Sequence, residues 1–194
     1  MKLCGLTGGV GMGKSTAAGF LLASGARVVD TDDLAHELVQ PGQTALAEIT
    51  AAFGHHLIAP DGRLRRGDLA KIVFADPAAR QKLESILHPR IRERWQAQVA
   101  EWRSEHCKVA VVVIPLLFET QAEINFDKII CVACSAGSQR ERLAPRGWLP
   151  EQISRRIAAQ MPVEQKMARS HFVLWTEGTI NTSQRQLVEI LKKV

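Results

Sequence analysis

A chain of 194 residues with 46% hydrophobic content and a formal charge of +5 has enough apolar material for one α/β domain with room for an inserted lobe. Its aromatics are few, tyrosine is absent and the basic residues are scattered rather than gathered into a tail, which argues against nucleic acid and for a small phosphorylated ligand. No apolar run approaches the roughly 18–20 residues of a membrane span, and the N-terminal apolar stretch meets glycines too soon for a signal peptide, so a cytoplasmic protein without a membrane partner is expected.

Leu3-Cys4-Gly5-Leu6 reads as a short buried strand. It runs into Gly8-Gly9-Val10-Gly11-Met12-Gly13-Lys14-Ser15, which fits the phosphate-binding pattern G-x-x-x-x-G-K-[ST]. A helix follows from Thr16 to Ser24 with Phe20 and Leu21 on its apolar face. Strand, glycine loop and helix form the context in which the motif works. Glycines bring several backbone N–H groups against a phosphate, and the helix N-terminus adds partial positive charge. Lys14 then reaches the β- and γ-phosphates and Ser15 offers a hydroxyl to Mg²⁺. Nucleotide contacts are expected from Gly9, Gly11, Met12, Gly13, Lys14, Ser15 and Thr16.

Ala26–Val29 predicts a second strand ending in Asp30-Thr31-Asp32-Asp33. Carboxylates there lie on the ligand-binding edge of an open α/β sheet. If this strand neighbours the first, one of them faces the γ-phosphate; Asp32 or Thr31 could equally cap the helix Leu34–Val39. After Pro41-Gly42 the chain is mostly helical to His106, with stripes at Leu46, Ile49 and Phe53, at Leu69, Ile72 and Val73, and at Leu83, Ile86, Leu87 and Ile91. Asp76-Pro77 starts the last of these helices, and Pro89 predicts a kink or break after His88. The block is too long for an ordinary crossover and reads as an inserted substrate lobe.

Lys108–Ile114 is an unbroken apolar strand, hence central and parallel. Pro115 follows, where many P-loop NTPases carry a magnesium-holding aspartate, which argues against a GTPase switch or motor ATPase and shifts metal and base duties to the earlier aspartates. Phe126–Cys134 is a fourth strand. Its C-x-x-C, Cys131 to Cys134, has no second ligand pair for zinc, so all four cysteines are expected as small buried hydrophobes without a disulfide. Arg140, Arg142 and Arg146 then suggest a lid that offsets charge on a transferred phosphoryl group, or else a solvated helix face paired with Glu141. Helices at Pro150–Ala159 and from Pro162, a fifth strand at His171–Trp175 and a final helix capped by Asn181 or Thr182 complete the chain. His55, His56 and His106 lack carboxylates at metal spacing and are expected on the surface.

Several of these stretches together resemble the dephospho-CoA kinase family. Leu6–Thr16 is similar to that family's opening, Val29-Asp30-Thr31-Asp32 to its V-D-A-D, His88-Pro89-Arg90-Ile91 to its H-P-x-I and Pro115-Leu116-Leu117-Phe118-Glu119 to its P-L-L-F-E; Arg142, Arg146 and Gln160 fall on its lid pattern. The resemblance covers nearly the whole chain. Departures are Met12 in place of serine, Ser170-His171 in place of A-D, and Thr176 in place of asparagine, the last two on the adenine side. The resemblance implies a three-layer α/β/α P-loop fold with a parallel five-stranded sheet. Its core would be 1–40, 107–135 and 170–194, with a CoA-binding insert near 41–106 and a lid near 136–169. It implies transfer of the ATP γ-phosphoryl group to the ribose 3′-hydroxyl of dephospho-CoA, with ATP and dephospho-CoA as partners and Mg²⁺ as cofactor, in a monomer or weak homo-oligomer. Asp32 would be the base and, with Ser15, a metal ligand. Lys14, Arg142 and Arg146 would act on the phosphates, and Asp32, His88, Arg90, Pro115, Leu116 and Leu117 would hold the acceptor.

Overall fold

The computed structural model describes all 194 residues, Met1–Val194. Runs of aliphatic residues form strands β1 (Lys2–Thr7), β2 (Arg27–Asp30), β3 (Val109–Val113), β4 (Lys128–Ala133) and β5 (Phe172–Trp175). The helices are α1 (Lys14–Ala23), α2 (Thr31–Leu38), α3 (Thr44–Phe53), α4 (Arg66–Ala75), α5 (Pro77–Ser104), α6 (Ala136–Leu143), α7 (Pro150–Ala158), α8 (Val163–Arg169) and α9 (Ile180–Leu191). The chain divides into two compact units, one of residues 1–30 and 101–194, the other of residues 31–100.

The first unit is built on a five-stranded sheet of order β2-β3-β1-β4-β5 in which every neighbouring pair is parallel. Because the strands are parallel, the carboxyl ends of all of them share one edge, where ligands bind in such sheets. Alternate residues Cys4, Leu6, Val111, Val113, Ile130, Val132 and Leu174 face α1 and α9, whose Ala17, Leu21, Leu187 and Ile190 complete that core. On the other face Leu117 and Phe126 lie over Gly5, and Val163 and Met167 of α8 pack on Ala133 and Cys134. Strand β2 does not neighbour β1. Its Asp30 pairs with Val113 of β3, whose other side pairs with Leu6. The reason is burial: Ala110–Val113 is completely inaccessible and takes an interior position, whereas β2 is only partly covered and takes the edge.

The second unit has its own core of Leu38, Val39, Ala45, Ile49, Leu57, Leu69 and Ile86. Leu38 and Val39 explain why this unit starts at Thr31 rather than near residue 41. Helix α2 begins at Thr31, directly after β2, so neither Thr31 nor Asp32 is an N-cap; Asp32 and Asp33 lie in the first turn, where the helix dipole favours carboxylates. At the start of α5 the Asp76 carboxylate accepts the Ala78 N–H at 2.8 Å and Pro77 takes the first helical position. Of the kink or break expected at Pro89, the break does not occur: α5 runs through it. The missing proline N–H costs the helix, but burial of Ile86, Trp95, Val99 and Trp102 along α5 outweighs it. The final helix is capped by Thr179, whose hydroxyl accepts the Thr182 N–H at 3.3 Å, not by Asn181 or Thr182.

No helix is long and apolar enough to cross a membrane. All four cysteines are free, and His55, His56 and His106 are exposed. Burial pushes the thiols of Cys4 and Cys131 up to about 11 and raises that of Cys134. At pH 8 a thiol reagent should therefore label at most the half-buried Cys107 in the native protein and all four after unfolding. Rapid labelling of two or more thiols in the folded state would contradict this packing.

Candidate active site

The loop between β1 and α1 owes its path to two glycines. Gly8 has φ +145°, and a Cβ there would sit 2.2 Å from the Val132 carbonyl oxygen of β4. Gly11 has φ +77°, and a Cβ there would meet Leu143 at 2.7 Å. Gly13 forms the N-cap of α1 without any side-chain cap, which leaves the first-turn N–H groups to an anion. The Lys14 ammonium donates to the carbonyls of Gly8 at 2.8 Å and Gly9 at 3.0 Å and so lies across the loop. Ser15 and Thr16 are exposed on the first turn. Met12 does more than offer backbone: its side chain is buried against Ala133, Cys134, Val163 and Met167 and pins the loop to α8.

Two glutamines clamp the loop at Val10. The Val10 N–H donates to Gln160 Oε1 at 2.9 Å, and the Val10 carbonyl accepts from Gln139 Nε2 at 2.7 Å. Gln139 is buried on α6 and Gln160 follows α7, so two points of residues 136–169, one on each side of α7, hold one residue of the phosphate loop. Both peptide groups being satisfied by side chains, the loop's shape is set by the protein itself.

Beside the loop a cleft of about 210 Å³ is lined by residues including Gly13, Thr16, Phe20, Arg142, Thr176 and Ile180. Arg142 donates to Thr176 Oγ1 at 2.9 Å and to the Thr176 carbonyl at 2.6 Å. The Thr176 hydroxyl in turn lies 3.0 Å from the Met12 carbonyl, so Arg142 is anchored to the mouth of the cleft. Arg146 lies elsewhere, over Trp148 at 5.6 Å, with Arg156 over the same ring at 4.1 Å. Glu177 ties β5 to α6: its carboxylate accepts the Ser135 N–H at 2.6 Å and the Ser138 hydroxyl at 2.9 Å, and these bonds, Ser135's first, hold it below the usual carboxylate range.

After β3, the Pro115 carbonyl accepts from Thr7 Oγ1 at 3.3 Å and from Lys166 Nζ at 2.6 Å. Lys166 also pairs with Glu119 at 2.8 Å. Leu117 is fully buried against Gly5, so it packs the loop in place and offers an acceptor no side-chain surface; Leu116 and Pro115 are half-buried. In the second unit Asp32 is exposed on the first turn of α2 and His88 is half-buried on α5. Arg90 is held by the Ile86 carbonyl and by Glu48 at 2.5 Å, a tie between α5 and α3. Gln139 and Lys166 escape a reading of motifs. Lys166 had one available signal: with Val163 and Met167 it shares one helical stripe, an odd place for a charge.

A family model described as dephospho-CoA kinase matches residues 2–182. The chain belongs to the dephospho-CoA kinase family. A dephospho-CoA kinase of Bdellovibrio bacteriovorus is 39% identical over 192 residues, covering 99% of this chain and 96% of the relative. One from Anaeromyxobacter dehalogenans is 44% identical over 179 residues, covering 92% and 85%. The crystal structure of a Thermus thermophilus protein superposes with a TM-score of 0.83 at 30% identity, covering 100% of this chain and 97% of that one. As a member of the family the chain is an ATP-dependent dephospho-CoA kinase of coenzyme A biosynthesis.

Gln160→Ala strips the partner from the partly buried Val10 N–H. It should cost about 1–3 kcal/mol of stability and weaken ATP binding, read by thermal unfolding and calorimetry. An unchanged ATP affinity would mean that the loop keeps its shape without the clamp.

Proposed function

We propose that ATP lies with its phosphates in the loop Gly8–Thr16 and its nucleoside in the adjoining cleft, and that its γ-phosphoryl group passes to the ribose 3′-hydroxyl of dephospho-CoA. The observation that carries this is the preset phosphate loop: Val10 clamped on both peptide groups, uncapped N–H groups at the start of α1, and Lys14 across the opening. Such a site has little covalent work to do. It holds the phosphates in line and offsets charge as it develops.

Lys14 exchanges its hold on the Gly8 and Gly9 carbonyls for the β- and γ-phosphate oxygens. Asp32, two residues beyond the carboxyl end of β2, orients the attacking hydroxyl and receives its proton. Arg142, tied to Thr176 beside Gly13, borders the nucleoside and the leaving ADP, while Arg146 is the lid cation for the transferred group. Residues 136–169 form the lid and exclude water, which would otherwise take the phosphoryl group. The acceptor is assigned to Pro115 and Leu116 and, in the helical insert, to His88 and Arg90.

The residues suit a magnesium ion. No group of three or more His, Cys, Asp or Glu exists to cage a metal, but Ser15 presents an exposed hydroxyl, a hard oxygen ligand. That sparse donor set matches an ion that keeps waters and shares the nucleotide's phosphate oxygens. Ser15 and Asp32 would hold it, and when bound it screens the phosphate charge.

Incubation with Mg-ATP and dephospho-CoA should add one phosphoryl group to the acceptor by mass, with NMR placing it on the 3′-oxygen. Lys14→Ala should lower kcat by on the order of 10²–10³-fold with the fold intact by circular dichroism. Retained turnover would take Lys14 out of the site. Asp32→Asn should reduce kcat far more than ATP affinity. An effect on KM alone would make Asp32 a binding residue.

A further inference from the structure

Lys166 is the one charged residue in the chain that is buried from solvent, at 0% exposure. A buried ammonium is costly unless every donor finds an acceptor, so its partners report why it is there. They are the Pro115 carbonyl at 2.6 Å and Glu119 Oε1 at 2.8 Å. The same Glu119 oxygen accepts the Met161 N–H at 2.8 Å. Met161 follows Gln160, which holds the Val10 N–H, and Pro115 accepts from Thr7, the residue before Gly8. The contacts therefore close a ring: phosphate loop, end of the lid segment, Glu119, Lys166, Pro115, and back to the strand that enters the phosphate loop. Helix α8, which carries Lys166, is fastened to the same stretch a second time, since Arg169 pairs with Glu123 and lies over Phe118 at 4.5 Å. Lys166 also sits close enough to Cys131, with Lys14, for both ammonium groups to oppose the burial that raises that thiol.

We propose that Lys166 is a positioning residue for phosphoryl transfer. By holding the Pro115 carbonyl and the Glu119 carboxylate together, it keeps the loop after β3 and the lid's return at Gln160–Met161 in one register against the phosphate loop. It touches neither substrate. Loss of Lys166 frees Glu119, then Met161 and Gln160, and the lid no longer seats on Val10. Water then competes with the acceptor hydroxyl for the γ-phosphoryl group, giving ADP and inorganic phosphate in place of ADP and phosphorylated acceptor. This rests on reading residues 136–169 as the lid. Phosphorylation of the acceptor by the parent chain tests the proposed function, and the inference concerns only what the variants change.

The test compares the full chain with Lys166→Met and with Lys166→Met/Glu119→Gln, measuring acceptor phosphorylated, ADP released, ATP affinity and Tm. In Lys166→Met kcat should fall on the order of tenfold or more through misplacement, and ADP released per acceptor phosphorylated should rise. The double variant, without either charge, should recover most of the lost Tm but not the transfer rate or the ratio. A purely structural lysine would move Tm and leave the ratio alone. The inference is overturned by an unchanged ratio and kcat in Lys166→Met, or by a double variant that regains transfer along with Tm. If Lys166→Met alone does not fold, the double variant's ratio decides in the same two directions.

Discussion

The site depends on one close approach. β1 can leave the sheet and turn into the glycine loop only because Gly8 passes the Val132 carbonyl where a Cβ would lie 2.2 Å from the oxygen. Everything around the loop follows from that path. Gly13 delivers an uncapped helix start, Lys14 folds back onto the Gly8 and Gly9 carbonyls, and Thr7 reaches the Pro115 carbonyl on the neighbouring side of the sheet. A loop so tightly drawn has few ways to satisfy its own peptide groups, and this gives the two glutamines their place.

The segment after β4 is more than a charged flap. It is fastened to Val10 twice, before and after α7, its first helix is tied to the end of β5 through Glu177, and it passes on into α8, which packs on Met12. Its arginines are individually placed. Arg142 is held by Thr176 at the cleft, whereas Arg146 shares the Trp148 ring with Arg156. Both guanidiniums thus gain from the electron-rich face of one aromatic ring.

Polar economy in this core is directional. Lys166 spends its charge on a carbonyl and a carboxylate that both belong to the loop after β3, and Glu119 passes the connection to the backbone of Met161. Replacing such a pair by apolar groups can leave stability intact, so its presence asks for a role in specifying geometry. The contrast with Arg90 is instructive. Arg90 is also paired, with Glu48, but on a half-exposed surface where it braces α5 against α3.

What the sequence by itself determined was whatever depends on neighbours in the chain. The strand, glycine loop and helix at Leu3–Leu21, the aliphatic run of β3, the cap and proline at Asp76-Pro77 and the inert cysteines are set by local backbone chemistry and by side-chain burial preference. Helix ends were less legible, since α2 starts at Thr31, directly after β2, and Thr179 caps α9 ahead of the two residues the sequence offered. The passage of α5 through Pro89 was decided by tertiary burial, which outweighs one missing hydrogen bond. The seat of β3 between β1 and β2 was decided in three dimensions too, because strand order reflects which strand most needs cover on both faces. The clamp on Val10 joins residues 129 and 150 positions apart, and the Lys166 bond to Pro115 spans 51. No motif spacing encodes such pairs, because they exist only after the sheet has brought the carboxyl ends of its strands to one edge.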